Sequence, residues 1–489
     1  MYTLGIDIGS SSVKVSLLDL ETGNCKGSAF SPEEEMPIMA VAAGWAEQNP
    51  ESWWEHFKLA YNKMMHKSGA SSSEIKAIGI SYQMHGLVAL DREGNVVRPS
   101  IIWCDSRAVA LGDQAFNAMG QSFCLEHMLN SPGNFTASKL KWIKENEPAL
   151  YERIHKIMLP GDYIAYRLSG EMQTTVSGLS EGILWDFKQE QVAQDLMGHY
   201  GLSSSLIADV VPTFGRQAAV SAASAQEVGL PQGIPVAYRA GDQPNNAFSL
   251  NVLQPGEVAA TAGTSGVIYG VNDRLAFDAQ SRVNSFAHVN HTAQEKRLGV
   301  LLCINGTGIL NSWLRRNMAG MGYEQMNITA GQAPAGADGL LVYPFGNGAE
   351  RVLANAAPGA MFKGLSFNTH SQSHLLRAAQ EGIAFSFRYG ADIMADMGIN
   401  TSVVRAGKAN MFLSPLFRQT MANVLDARIE LYDTDGALGA ARGAALGAGL
   451  YHSAAEAFEA FQCLEVVTPD NDQAIIGQTY ENWKNQLVF

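Results

Sequence analysis

An acid, a glycine and three serines lie together near the start of the chain, in LGIDIGSSSVKVSLLD at residues 4–19. The apolar pattern predicts a strand that ends on Asp7, a turn over 9–12 and a second strand over 13–18. Successive backbone N–H groups and serine hydroxyls in such a turn can surround a phosphate group. The Asp7 carboxylate can hold Mg²⁺, directly or through water, because hard cations take carboxylate and phosphate oxygens together. An ordinary hairpin with a Ser-rich turn is the alternative that this segment leaves open.

The segment after the turn distinguishes it from other phosphate-binding loops. In dinucleotide-binding proteins and in P-loop proteins, the Gly-rich loop leads into a helix. Here the apolar alternation continues through 14–17, and the polar stretch 21–24 predicts another turn. The sequence therefore predicts a meander of strands, which neither of those two folds has at this position.

The hairpin pattern occurs twice in the chain. TAGTSGVIYG at 261–270 aligns without gaps on DIGSSSVKVS at 7–16. The repeat predicts two halves, each with a phosphate-binding hairpin, and we place the division near residue 245, giving domains 1–245 and 246–489. The matched turn positions are Gly9 with Gly263, Ser10 with Thr264, and Ser11 with Ser265.

A further acid lies at the end of the apolar stretch that begins VAYRAGDQ at residue 236. Asp242 comes after Gly241 at the predicted strand end and precedes a helix-like sequence, so its carboxylate can face a cleft. The alternative role for a lone Asp at this position is a helix N-cap. The phosphate hairpin about twenty residues downstream favours the cleft-facing acid.

Length and composition limit the class of protein. A chain of 489 residues with 46% hydrophobic and 17% charged residues is typical of a globular protein of two or more domains. The formal charge of −13 argues against nucleic acid or anionic membranes as partners, but not against a small phosphorylated ligand. Five scattered cysteines indicate neither a disulfide framework nor a zinc site. With no signal-peptide or membrane-span pattern, we expect a cytoplasmic protein.

The remaining pattern predicts the elements that position these residues. Asn49 and Pro50 are typical of a helix start within the predicted helix 46–67. Residues 75–91 read as a strand pair broken at 83–86. Near the end of the chain the pattern predicts strand 402–407, helix 414–425, strand 427–433 and a helix of small residues over 437–451, for which tight packing is the expected reason.

From about residue 2 to about residue 450, the chain resembles the FGGY carbohydrate kinases, within the superfamily of sugar kinases, heat-shock ATPases and actin. DIGSSSVKV is similar to the family's first phosphate motif, TAGTSG to the second, and AGDQ to the segment with the catalytic Asp. FTASKLKW at 135–142 and TDGALGAARGAALGAG at 434–449 resemble the two family signatures.

The resemblance implies an α/β fold of two ribonuclease-H-like domains around a central cleft, with the sugar mainly on the first domain and the nucleotide on the second. It implies ATP as phosphoryl donor, Mg²⁺ held by Asp7, and Asp242 as the general base. The implied partners are a small-molecule sugar and ATP, without nucleic acid or membrane. Family members are often dimers, so the resemblance leaves monomer and homodimer open. The residues implied to bind ATP or phosphate are Gly9, Ser10, Ser11, Ser12, Lys14, Gly263, Thr264, Ser265, Gly407, Lys408 and Asn410.

Within the family, the chain is most similar to xylulokinases. The similar stretches are GWAEQNPESWW at 44–54, SYQMHGLVALD at 81–91, IIWCDSR at 101–107 and LPGDY at 159–163. This implies phosphorylation of D-xylulose at its 5-hydroxyl. L-ribulose, glycerol and other polyols stay open as acceptors. The residues implied to bind the acceptor are Gln83, Met84, His85, Trp103, Asp105, Asp242 and Gln243.

Other interpretations stay open at this point. Taken alone, His85 would be a structural histidine, and Asp105 with Arg107 a buried ion pair. The chain could also be a non-catalytic regulator that binds sugar or nucleotide, or a filament-forming or chaperone ATPase of the same superfamily.

The chain differs from the family pattern at several places, among them the stretch 348–352, which reads GAERV where the family has GERTP. Gln243 follows the catalytic Asp where xylulokinases usually have Asn, and a Gln at this position is similar to glycerol kinases. Of the glycines in the family's loop near the adenine, only Gly407 is present here, and Lys408 could supply a charge to the nucleotide instead. Thr175 stands where the family has an acid.

Overall fold

The computed structural model describes residues 1–317, 321–353, 356 and 358–487, which form two compact units. The first unit contains residues 1–251, 286–298 and 435–461, and the second contains the described parts of 252–285, 299–434 and 462–489. The division predicted near residue 245 stays a prediction.

The described strands are β1 (Tyr2–Ile8), β2 (Val13–Asp19), β3 (Cys25–Ser31), β4 (Glu47–Gln48), β5 (Ile75–Tyr82), β6 (Val88–Leu90), β7 (Ser100–Ile101), β8 (Lys156–Met158), β9 (Gln173–Thr175), β10 (Trp185–Asp186), β11 (Gln191–Val192), β12 (Asp209–Val211), β13 (Phe214–Ala219), β14 (Pro235–Gly241), β15 (Val258–Ala262), β16 (Gly266–Asn272), β17 (Asn284–Ala287), β18 (Leu298–Ile304), β19 (Leu341–Phe345), β20 (Gly359–Lys363), β21 (Val403–Gly407), β22 (Arg428–Tyr432) and β23 (Cys463–Val467). The α-helices are α1 (Pro50–Ser68), α2 (Val109–Met119), α3 (Gln121–Met128), α4 (Thr136–Asn146), α5 (Pro148–Tyr151), α6 (Pro160–Ser169), α7 (Val176–Glu181), α8 (Gln194–Tyr200), α9 (Ala222–Val228), α10 (Asp242–Ser249), α11 (Gly308–Asn317), α12 (Tyr323–Ala330), α13 (Gln372–Asp396), α14 (Pro415–Leu425), α15 (Gly436–Gly447), α16 (Ala454–Ala457) and α17 (Gln473–Asn485).

A six-stranded sheet forms the centre of the first unit, in the order β13-β14-β5-β1-β2-β3. β1, β2 and β3 are consecutive antiparallel strands, which confirms the predicted meander. β5 is parallel to β1 on one side and to β14 on the other. Their apolar side chains fill the core of this unit together with α1 and α6. The carboxyl ends of three parallel strands therefore lie at one edge of the sheet.

The small-residue helix α15 belongs to the first unit and lies directly on β1 and β5. A Cβ at Gly5 would lie 1.8 Å from the carbonyl oxygen of Ala437, and one at Gly79 would lie 2.0 Å from that of Ala440. Neither strand position can carry a side chain without moving the helix. The tight packing predicted for this helix is therefore confirmed.

In the second unit, a seven-stranded sheet has the order β17-β18-β16-β15-β21-β22-β23. β15 and β16 are antiparallel and joined by the turn at 263–265, so the repeat of the strand-turn-strand hairpin is confirmed. The strand–helix–strand–helix run near the end of the chain is likewise present as β21, α14, β22 and α15. α13 and α17 complete the apolar core of this unit.

Two local predictions need correction. α1 begins at Pro50, with the Asn49 side chain accepting from the backbone N–H of Glu51, and the residues before it form β4 instead of helix. β5 and β6 exist where a strand pair was predicted, but they do not pair with each other. β6 pairs with β8, because the chain turns away after β5 through His85, whose φ is 62°.

Among the described residues, no helix is both long and apolar enough to cross a membrane.

Candidate active site

Strand register brings the two predicted acids to the same sheet edge. Ile8 of β1 and Gly241 of β14 both lie opposite Tyr82 of β5. Asp7 is the last residue but one of β1, and Asp242 is the first residue of α10, directly after β14. The negative charge of Asp7 is close enough to raise the pKa of Asp242. Asp7 and Asp242 are therefore close to each other within the first unit.

The carboxyl group of Asp242 has a pKa well above that of an ordinary aspartate. Burial of its carboxyl raises the pKa of Asp242 to about 7, and the Asp7 charge adds to the rise. The backbone and side-chain amides of Gln243 oppose it by stabilising the carboxylate. The residue keeps partial exposure, which a group that meets a substrate needs. Gly241 is the N-cap of α10, so the N-cap alternative for Asp242 does not hold.

Asp7 lies against the start of α15. A Cβ at Gly436 would lie 2.4 Å from its Oδ2 atom, so this helix start needs glycine. Burial raises the pKa of Asp7 to about 6, with the Asp435 charge adding to the rise, while the Ser81 hydroxyl and Lys14 oppose it. Lys14 Nζ lies 2.5 Å from Asp435 Oδ2, so in this structure its charge faces a carboxylate.

The turn at 9–12 is held by contacts that leave serine hydroxyls at its surface. The backbone N–H of Gly9 donates to the carbonyl oxygen of Ser12 at 3.0 Å. The Gln48 side chain donates to the Ser10 carbonyl oxygen at 2.7 Å, and the Trp103 indole N–H donates to Ser10 Oγ at 3.4 Å. The turn is therefore tied to two of the stretches that resemble xylulokinases, 44–54 and 101–107.

The second hairpin turn is fixed in a different way, by the start of α11. Thr307 Oγ1 donates to the carbonyl oxygens of Gly263 and Thr264, at 2.9 and 3.1 Å. The backbone N–H of Gly308 donates to the Gly263 carbonyl oxygen at 2.9 Å, and a Cβ at Gly308 would lie 2.3 Å from that oxygen. The turn is thus preorganised by its neighbouring helix.

The loop after β21 contributes two further candidates to the second unit. A Cβ at Gly263 would lie 3.7 Å from the side-chain amide nitrogen of Asn410, so Asn410 lies beside the turn at 263–265. Lys408 Nζ lies 3.0 Å from Glu465 Oε2, so its charge also faces a carboxylate here. Gly407 is the last residue of β21, and a Cβ at this position would lie 3.6 Å from the carbonyl oxygen of Thr434.

The acceptor-binding candidates 83–85 come directly after β5 at the same edge. Gln83 and Met84 are buried, and the Gln83 amide donates to Gln48 at 3.2 Å. The His85 ring packs edge-on against Phe135 with 4.8 Å between centroids, and at a tilt against Phe286 with 5.4 Å. Both phenylalanines are buried, so the half-buried His85 ring lies against apolar side chains of the interior.

Trp103 and Asp105 differ in exposure. The Trp103 side chain is 42% exposed, whereas Asp105 is fully buried. Arg107 makes a bidentate ion pair with Asp105, and the same carboxylate accepts from the backbone N–H of Ala46 at 2.6 Å. Arg107 also stacks over Trp45, 3.8 Å from the ring centroid. The geometry favours the ion-pair interpretation of Asp105, and its direct contact with sugar stays a prediction.

Sequence reasoning missed several residues of this region. Glu181, at the end of α7, is fully buried, with its pKa raised well above the usual range by burial, and the Asp242 charge adds to the rise. Lys139 stands out in the sequence only as part of a signature, and the structure places its ammonium group among backbone carbonyl oxygens. An acid within an otherwise apolar stretch was the available signal for Glu181, whereas Lys139 lies among other charged and polar residues and had no such signal. Gln48 lies within the quoted stretch 44–54 but was not singled out there, and Phe286 lies in no quoted motif.

Comparison with known proteins decides the family. Residues 2–249 match the N-terminal domain of the FGGY family of carbohydrate kinases, and residues 258–450 match its C-terminal domain. The chain belongs to the FGGY family. A curated relative, the xylulose kinase of Bacillus subtilis, is 29% identical over 94% of this chain and 91% of its own.

Solved structures agree with this assignment. A xylulose kinase from Rhodospirillum rubrum is 26% identical, with a TM-score of 0.88 over 99% of this chain and 98% of that one. A glycerol kinase from Plasmodium falciparum, solved with ADP, has a TM-score of 0.88 over 100% and 98%, and at 20% identity it shows the fold alone.

Family membership confirms the α/β sugar-kinase fold of two domains and the enzyme class. The protein is an ATP-dependent carbohydrate kinase. The hypothesis of a filament-forming or chaperone ATPase is therefore not supported. ATP is the family's phosphoryl donor.

Proposed function

We propose that the protein phosphorylates D-xylulose to D-xylulose 5-phosphate, with Asp242 as general base. The observation that carries the proposal is the pair of acids at one sheet edge, in which Asp242 has a pKa of about 7 and Asp7 lies next to it. The likeness to proteins named xylulose kinase over nearly the whole chain supports the acceptor. L-ribulose and glycerol are the alternative acceptors.

In the proposed reaction, Asp242 accepts the proton of the acceptor hydroxyl as its oxygen attacks the γ-phosphorus. The bond between that phosphorus and the bridging oxygen breaks, and ADP leaves with the electron pair. The Gln243 amides orient the Asp242 carboxylate towards the hydroxyl. His85 and Met84, at the end of the adjacent strand β5, hold the acceptor so that one hydroxyl reaches the base.

Phosphate binding is assigned to the two hairpin turns. Ser10, Ser11 and Ser12 offer hydroxyl and backbone N–H donors in the first unit, as Thr264 and Ser265 do in the second. In this structure Lys14 pairs with Asp435, and Lys408 pairs with Glu465. To bind phosphate, each lysine would have to leave its carboxylate partner.

The donor set fits Mg²⁺ that arrives with the nucleotide. Within the described ranges, no group of three or more His, Cys, Asp or Glu side chains could hold a metal ion. Mg²⁺ in kinases is typically held by one or two carboxylates together with substrate phosphates and water. Asp7, with a raised pKa and Asp435 beside it, is the residue that would hold it. Bound Mg²⁺ would offset the negative charge of the phosphates.

An acceptor panel tests the proposed function. ADP release with D-xylulose, L-ribulose, glycerol, D-gluconate and common aldoses should be fastest, by kcat/KM, with D-xylulose. A site built to hydrogen-bond particular hydroxyls rejects analogues that lack them by several orders of magnitude. Strong activity with glycerol and none with D-xylulose would contradict the acceptor assignment. A protein that binds ATP but phosphorylates none of them would point to the regulator hypothesis.

The pH dependence of the reaction depends on the raised pKa of Asp242. Since the base must be ionised, kcat/KM should fall about tenfold per pH unit below about 7. An ordinary aspartate would place this decline near pH 4. The measurement is kcat/KM for the best acceptor from pH 5 to 9, at saturating ATP and Mg²⁺. A flat profile down to pH 5 would contradict the assigned base.

A further inference from the structure

Two buried residues that the proposed mechanism does not use lie around His85, Lys139 through its side chain and Glu181 through its backbone carbonyl. Lys139 of α4 is fully buried, and its Nζ donates to the carbonyl oxygens of His85 and Ile102, at 2.9 Å each. The His85 ring is held from the other side, because Nδ1 lies 2.9 Å from the carbonyl oxygen of Glu181. A carbonyl can only accept, so Nδ1 carries the proton and the ring orientation is set.

The two carbonyls that Lys139 binds belong to different segments. His85 lies in the break after β5, and Ile102 directly precedes Trp103 in the loop after β7. Both segments carry residues to which acceptor binding is assigned. His85 has a φ of 62°, a conformation that non-glycine residues rarely adopt unless their surroundings hold them there. Lys139 thus joins the two segments, and it does so at His85, whose backbone conformation is unfavourable.

Burying an ammonium group is costly, so its presence needs a reason beyond filling space. Burial lowers the pKa of Lys139 to about 7. The charges of Asp105 and, to a smaller extent, Glu181 oppose this decrease. A methionine of similar length would pack there without this cost, but it could not donate to either carbonyl.

The Glu181 carboxyl fills the space behind the base. A Cβ at Gly241 would lie 2.8 Å from Glu181 Oε2 and 2.6 Å from Met84 Cγ, so the three groups are in close contact. The Tyr82 hydroxyl lies beside the Glu181 carboxyl and opposes the burial-driven rise of its pKa. A shorter side chain here would leave Met84 and the backbone before Asp242 without support.

We propose that Lys139 and Glu181 are positioning residues that hold His85, Met84 and the segment after Ile102 in the arrangement that receives the acceptor. The inference rests on the proposed function, since it concerns the same acceptor site. Both residues act through others, so their loss should weaken binding of the acceptor and leave binding of ATP unchanged.

The test compares Lys139→Met with Lys141→Met by calorimetric binding of D-xylulose and of ATP, and by KM for both. Lys141 is on the same helix and pairs with Glu145, so it is the matched control. We expect Lys139→Met to weaken D-xylulose binding and raise its KM by about tenfold or more, with ATP affinity within about twofold of wild type. Lys141→Met should match wild type in both.

A second pair of variants decides the matter if Lys139→Met does not fold. Glu181→Ala should raise the KM for D-xylulose, whereas Glu181→Gln, which keeps the size of the side chain, should restore it. Unchanged acceptor affinity in Lys139→Met, or in Glu181→Ala where Lys139→Met fails to fold, would overturn the inference. So would an equal loss for acceptor and ATP, because that indicates general disruption.

Failure of the proposed function has a different signature. If wild-type protein neither binds nor phosphorylates D-xylulose or another panel acceptor, the proposed function is overturned and this inference with it. If wild type phosphorylates the acceptor and the variants bind it equally well, only this inference is overturned.

Discussion

Replacing Asp242 with Asn is expected to lower kcat by about 10²-fold or more, with KM for ATP little changed. The variant keeps the size of the side chain and loses only its ability to take a proton. Steady-state kinetics with the best acceptor at pH 8 measure the effect, because Asp242, with a pKa of about 7, is ionised there in the wild type. Asp113→Asn on the exposed surface of α2 is the matched control and should retain full activity.

Thermal unfolding of the same variant separates loss of chemistry from loss of fold. The pKa of Asp242 is raised in the folded protein, from 3.8 to about 7. Its contribution to stability is therefore full below pH 4 and is lost as the pH rises through 7. Asp242→Asn removes the cost of the buried charge, so its Tm at pH 8 should equal or exceed that of wild type. Near-normal turnover by the folded variant would show that another group is the base.

Replacing Asp7 with Asn is expected to raise the Mg²⁺ concentration for half-maximal activity by about 10- to 100-fold. The reason is that an amide has no charge to offer a hard cation, whereas the carboxylate does. Titration of activity with Mg²⁺ at fixed ATP measures the effect. Acceptor affinity should not change, because Asp7 is not among the residues to which acceptor binding is assigned.

The same variant has a second readout, the pH profile. The Asp7 charge is the second-largest cause of the raised pKa of Asp242. In Asp7→Asn the acid-side decline of kcat/KM should therefore move to lower pH. A variant with unchanged Mg²⁺ dependence and unchanged pH profile would show that Asp7 neither holds the metal nor faces the base.

Features encoded by adjacent residues could be predicted from the sequence. The two hairpins, the cap of α1 by Asn49 and the strand end before Asp242 depend on alternation, turn residues and capping within a few positions. Such patterns act locally, so one sequence suffices to find them. The partner of β6 could not be found in this way, because β8 lies far along the chain and the choice depends on tertiary packing.

Side-chain partners are the other part that could not be predicted. The sequence shows the charges of Lys14 and Lys408 but not that each lies against a carboxylate. It shows Glu181 as one acid in a helix, but not that its carboxyl lies against Gly241. These pairs join segments that are far apart in the sequence, so they depend on the tertiary structure and cannot be predicted from local patterns or composition.

Two of the positions that differ from the xylulokinase pattern have a structural explanation. The backbone and side-chain amides of Gln243 bind the Asp242 carboxyl. A Gln side chain, although longer than Asn, can therefore still make this polar contact. Thr175 caps α7 by accepting from the backbone N–H of Gly178 at 3.0 Å, so a hydroxyl satisfies the helix start there. Neither difference removes a group that the proposed chemistry needs.

The most direct test of the account is the identity of the product. The wild-type protein would be incubated with ATP, Mg²⁺ and D-xylulose, and the phosphorus-containing products measured by ³¹P NMR. The account predicts equal amounts of ADP and D-xylulose 5-phosphate, with no inorganic phosphate above the background without protein. Formation of ADP with inorganic phosphate, or unchanged ATP in the presence of folded protein, would contradict it.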